Sequence, residues 1–101
     1  MKKVKITVMK KTEHKDLIKL YENPINNPCC LNEGQVFLSI DGQMPKDFCV
    51  SAWETILPFV NTLANGGGNF FDGCMKNEKS AMLSCNDGFR PVSFLLETVE
   101  N

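Results

Sequence analysis

Between Lys3 and Met9 the chain alternates, with Val4, Ile6 and Val8 set between Lys3, Lys5 and Thr7. A period of two sends successive side chains to opposite faces, so this segment is expected as a half-buried strand. Thr12 then offers a hydroxyl to cap a helix over Glu13–Glu22, whose Leu17, Ile18, Leu20 and Tyr21 form an apolar face. Asn23-Pro24 ends that helix, because the residue before a proline avoids the helical region. Two prolines and four asparagines between Asn23 and Gly34 predict a loop. Alternation resumes over Gln35–Asp41, with Val36, Leu38 and Ile40 on one face, and Asp41-Gly42 supplies a turn.

The period then changes to that of a helix. Over Phe48–Asn65, Trp53, Ile56, Leu57, Val60, Leu63 and Ala64 recur on one helical face. Two starts are compatible with the pattern: Ser51, which with Glu54 has capping-box spacing, or Asp47, one turn upstream. Pro58 removes the N–H that would bond the Glu54 carbonyl, which predicts a kink or a tight first turn, and Gly66-Gly67-Gly68 stops the helix. After a loop over Asn69–Lys79, Ser80–Asn86 and Pro91–Val99 read as a hairpin turning at Asp87-Gly88, with Val92, Phe94 and Leu96 alternating. The order β-α-β-α-β-β, with about four strands and two helices, predicts an α+β domain of two layers spanning 1–101.

Composition supports that picture and narrows the partners. The 101 residues are 43% hydrophobic and 23% charged, enough for one core without obligatory staples. The formal charge of -1 conceals an asymmetry: residues 1–20 carry seven lysines and two acids, and residues 21–101 carry four bases and ten acids. The lysines read as a solvated outer face that also protects the first strand from edge pairing. That strand has no aromatic residues to stack on bases, so no nucleic-acid partner is expected. No apolar run reaches the roughly 18–20 residues of a membrane span, and no membrane partner is expected. Lys5 and Lys10-Lys11 interrupt any signal-peptide reading of the N-terminus, and the five cysteines are an odd number, so the expectation is a cytoplasmic protein with reduced thiols.

Met44-Pro45, Phe48-Cys49, Ala52-Trp53, the Gly66–Gly68 run and the stretch Cys85-Asn-Asp-Gly-Phe-Arg-Pro-Val92 together resemble an uncharacterised family of small proteins of about this length, found widely in anaerobic bacteria and archaea. The resemblance covers nearly the whole chain and brings with it no activity, cofactor or catalytic residue.

The candidate chemistry starts with the thiols. Cys30, Cys49 and Cys85 fall beside a loop, a helix start and a hairpin end, which can converge in a two-layer fold to bind a soft metal or a redox cofactor. Buried free cysteine is also among the commonest core residues, behaving as a small hydrophobe, and that is the preferred reading. Cys49 is the most reactive candidate, since a helix N-terminus favours a thiolate through its unpaired N–H groups. Cys29-Cys30 is a vicinal pair that could bind a soft ion or form a strained disulfide, with packing or a plain loop position the better reading. Arg90, the one arginine, sits in a turn that could present it to a carboxylate or phosphate, or pair it internally with a neighbour such as Asp87. Gly66–Asn69 could cradle a phosphate, but it follows a helix and lacks the G-K-[ST] ending, so a helix stop is the better reading. Trp53, Phe70 and Phe71 are candidates for a pocket or an interface. With one histidine, His14, and scattered carboxylates, no catalytic set is recognisable. The expectation is therefore a non-catalytic binding or assembly module that self-associates or docks on a protein partner through the helix–glycine-loop region. A thiol-based metal or cofactor site is the alternative, and no particular cofactor is implied.

Overall fold

Val4, Ile6 and Val8 are all buried on one face of the first strand, β1 (Lys3–Lys11). The computed structural model describes residues 1–26 and 28–100; Asn27, inside the predicted first loop, and Asn101 lie outside the described residues. After β1 come α1 (Lys15–Tyr21), β2 (Val36–Ser39), α2 (Val50–Ala64), β3 (Ser80–Ser84) and β4 (Val92–Val99), with a short 3-10 turn at Phe71–Gly73. The chain is an α+β domain, and its antiparallel sheet has the order β2-β1-β4-β3. β1 and β4, the strands with the most regular alternation, occupy the centre. Among the described residues no helix is long and apolar enough to cross a membrane.

α2 forms the second layer. Its Ala52, Trp53, Ile56, Val60, Leu63 and Ala64 are buried against Val4, Ile6, Val8, Ala81, Phe94 and Leu96 of the sheet. The helix starts between the two expected positions, with Cys49 as N-cap, and no side chain caps it, so the Ser51–Glu54 box does not form. Pro58 lies inside the helix on the exposed side of α2, where it lacks the N–H that an ordinary residue would donate to the Glu54 carbonyl. At the C-terminus the Gly67 N–H donates to the Thr62 carbonyl at 2.8 Å and the Gly66 N–H to the Leu63 carbonyl at 3.0 Å. These two bonds define a Schellman motif, and Gly66 at φ +88 supplies its left-handed residue. Gly68 then runs against the Glu78 backbone, where a Cβ would fall far inside contact distance of the Glu78 carbonyl oxygen.

Two expectations are corrected. In β2 the apolar alternation faces away from the core. Register pairs Ile6 with Phe37 and Val4 with Ser39, which turns Phe37 and Ser39 inward and leaves Val36 58% exposed and Leu38 exposed on the opposite face; Ile40, beyond the strand, is exposed as well. Phe37 wins the inward position through an edge-on contact with Phe48, ring centroids 5.0 Å apart, and Ser39 is satisfied by donating from Oγ to the Gln43 carbonyl at 2.8 Å. The second correction is α1, which begins at Lys15 after His14 and not after a Thr12 cap, and buries none of its residues. Thr12 is instead tied by its backbone N–H to the Pro91 carbonyl, and His14 to the Phe89 carbonyl, each at 2.9 Å. These bonds carry the chain past the end of the sheet before α1 begins, so its apolar side has no strand beneath it.

Candidate functional site

Three segments distant in sequence meet at the N-terminal end of α2. The first is the loop after α1, where Leu31 is buried in the core; this anchor turns Cys29, two residues earlier, toward the interior and leaves Cys30 exposed. The second is the start of α2. Cys49 has extended backbone angles as N-cap, its carbonyl accepts the Trp53 N–H at 2.9 Å, and its sulfur makes no cap bond. The third is the chain between β3 and β4. There the Cys85 N–H donates to the Val92 carbonyl at 3.0 Å, and the Val92 N–H donates back to Cys85 Sγ at 3.3 Å, which fixes the sulfur in place.

The three half-buried thiols of Cys29, Cys49 and Cys85 line one cavity of about 300 Å³. Pro28, Ala52 and Val92 complete its apolar wall; Ser51, Asn86, Asp87 and Arg90 form its polar side. Asn86 Nδ2 donates to the Ser51 carbonyl at 3.4 Å, closing the gap between the hairpin loop and the helix. A more open cleft of about 420 Å³ bounded by Met1, Lys2, Ala64, Asn65 and Gly66 has no comparable convergence of reactive groups.

Arg90 is held from both ends. Asp87 Oδ1 accepts the N–H groups of Phe89 and Arg90 at 2.8 and 3.1 Å, an Asx turn that sets the loop. The guanidinium Nη1 donates to Oε1 of Glu22, the residue that ends α1, and the two side chains are only 21% and 12% exposed. The positive charge of Arg90 is thus answered by Glu22, and Asp87 is engaged with backbone. The cavity has no unanswered charge to attract an anion, and Arg90 acts as a strut between α1 and the cavity wall.

The remaining candidates lie elsewhere. Cys30 and Cys74 are exposed, and neither lines the cavity. Trp53 is a core residue, stacked edge-on to Phe48 at 6.2 Å, because its position on α2 points into the sheet. Phe70 and Phe71 gather with Phe59 at centroid distances of 5.2 and 5.9 Å, away from the cavity lining. Among the described residues no three His, Cys, Asp or Glu side chains are grouped so as to hold a metal ion. Sequence reasoning did not single out Glu22, Pro28 or Asn86. In comparisons with known proteins, the chain matches no family model, no curated protein and no solved structure.

Proposed function

We propose that the protein is a non-catalytic binding module whose site is the cavity at the start of α2, and that its ligand is a small thiophilic molecule. The observation that carries this reading is the meeting of Cys29, Cys49 and Cys85, from three separate segments, around one cavity. A volume of about 300 Å³ lies at the small end of ligand pockets, and a lining of apolar groups with a few fixed polar ones is their usual composition. Polarisable sulfur selects soft partners over hard oxyanions, and the neutralised Arg90 points the same way. We assign such a module to the cytoplasm on the expectation of reduced thiols, and the resemblance to a small-protein family of anaerobes accords with that environment.

The test uses a chain with Cys30→Ser and Cys74→Ser, which retains only the cavity thiols. Monobromobimane alkylates a thiol by forming a carbon–sulfur bond and releasing bromide and a proton. One bimane filling the shared cavity is expected to slow reaction at the other two cysteines by about tenfold or more. Three independent alkylation rates, or no reaction at all before unfolding, would overturn the reading.

A further inference from the structure

Among the described residues, no helix is packed on the face of the sheet opposite α2. Register fixes what it presents. One row crosses all four strands as Val36, Thr7, Leu95 and Met82, and the next as Leu38, Lys5, Glu97 and Ser80, the last of them buried. Val36, Leu38 and Met82 are exposed, and Lys5 Nζ lies 3.7 Å from Glu97 Oε1.

We propose that this face pairs with the same face of a second copy of the chain, about a two-fold axis running along the seam between β1 and β4. Such an axis lays β1 of one copy over β4 of the other and β2 over β3, without shifting residues along the strands. Each residue then faces its own cross-strand neighbour in the second copy: Lys5 meets Glu97, Thr7 meets Leu95, and Val36 meets Met82. Opposite charges and apolar side chains are therefore matched by symmetry, as an isologous contact requires. A two-fold axis across the strands would instead lay β1 over β1, and centred on Lys5 it would set lysine against lysine. Packed sheet faces sit about 10 Å apart, within reach of lysine and glutamate side chains.

The size of the face sets the strength. Four strands about 4.8 Å apart, over five residues about 3.3 Å apart, make a projected face of roughly 300 Å². Stable interfaces bury about 800 Å² per partner, so this dimer belongs to the weak, rapidly exchanging class.

Sedimentation velocity over a concentration series up to about a millimolar tests the proposal. The wild-type chain is expected to show reversible monomer–dimer exchange. Lys5→Glu and Glu97→Lys each set like charges against each other within the chain and across the contact, and each alone is expected to stay monomeric. Mixed in equal amounts they should associate, because the two carboxylates that the Lys5→Glu chain carries at this contact then face the two ammonium groups that the Glu97→Lys chain carries there. The intrachain pair stays broken in both, so recovery on mixing reports only the contact between copies, and adding Leu95→Asp to both chains should abolish it. A wild-type chain that remains monomeric throughout, or a mixture that associates no more than its components, would overturn the proposal. A mixture that still associates with Leu95→Asp in both chains would also overturn it, by showing attraction without the apolar row. Cys49→Ser lies outside this face and is expected to leave the dimer unchanged, which separates this outcome from that of the thiol cavity.

Discussion

Replacing Glu22 by alanine tests how α1 is held and, through it, how the cavity wall is braced. α1 is seven residues long, buries none of them and has no side-chain cap, so it is far below the length at which a helix is stable alone. Its attachments are the His14 N–H to the Phe89 carbonyl at 2.9 Å and the Arg90–Glu22 pair. Removing one partner of a fully buried ion pair costs about 3–5 kcal/mol. Here the side chains are 21% and 12% exposed and α1 can swing into solvent to relieve the orphaned charge, so about 2 kcal/mol is the appropriate scale. That corresponds to roughly 30-fold in a local opening equilibrium. Amide hydrogen exchange read residue by residue should therefore speed up by about 30-fold over Ile18–Glu22 in Glu22→Ala, with the amides of β1 unchanged. The double variant Glu22→Ala/Arg90→Ala should open α1 no further than either single one, because both remove one interaction. The reasoning fails if the α1 amides already exchange without protection in the wild-type chain. It also fails if Glu22→Ala lowers global stability while leaving α1 untouched, or if the two substitutions add.

Two further outcomes follow from backbone geometry. Gly68→Ala places a Cβ against the Glu78 carbonyl, a backbone group that cannot rotate away, and should lower unfolding stability by about 2–3 kcal/mol in urea titration. Pro58→Ala on the exposed side of α2 restores the N–H donor to the Glu54 carbonyl, and should raise the urea midpoint by the equivalent of about 1 kcal/mol; an unchanged or lower midpoint would show that the helix has adapted fully to the proline.

The parts of this fold legible in the sequence are those decided locally. Alternation located β1 and β4, helical spacing located α2, and Gly66 announced a terminus whose two bonds are the ones a Schellman motif requires. What escaped depends on tertiary pairing. β2 carries an apolar set of the right period, but whether Val36 and Leu38 or Phe37 and Ser39 turn inward is decided by register against β1 and by the ring of Phe48. The amphipathic pattern of α1 is real, yet the backbone ties at Thr12 and His14 carry it beyond the sheet, leaving Tyr21 75% exposed. In the site, Cys49 and Cys85 were recognisable from their places at a helix start and a hairpin end. Cys29 takes the third position in a loop anchored by buried Leu31, and Arg90 finds its partner in Glu22, 68 residues away, which no local pattern specifies.

The claim that the cavity is a binding site is tested most directly by locating an occupant. Phenylmercuric acetate, a small thiophilic probe, exchanges acetate for a thiolate sulfur with release of a proton. Added at one equivalent to the Cys30→Ser/Cys74→Ser chain, it should shift backbone amide NMR signals in one cluster: Cys29, Cys49, Ser51, Ala52, Cys85, Asn86, Asp87, Arg90 and Val92, the residues with a backbone N–H that surround the cavity. Shifts scattered over unconnected parts of the chain, or a bound probe that moves only one of the three cysteines and none of the polar side, would contradict it.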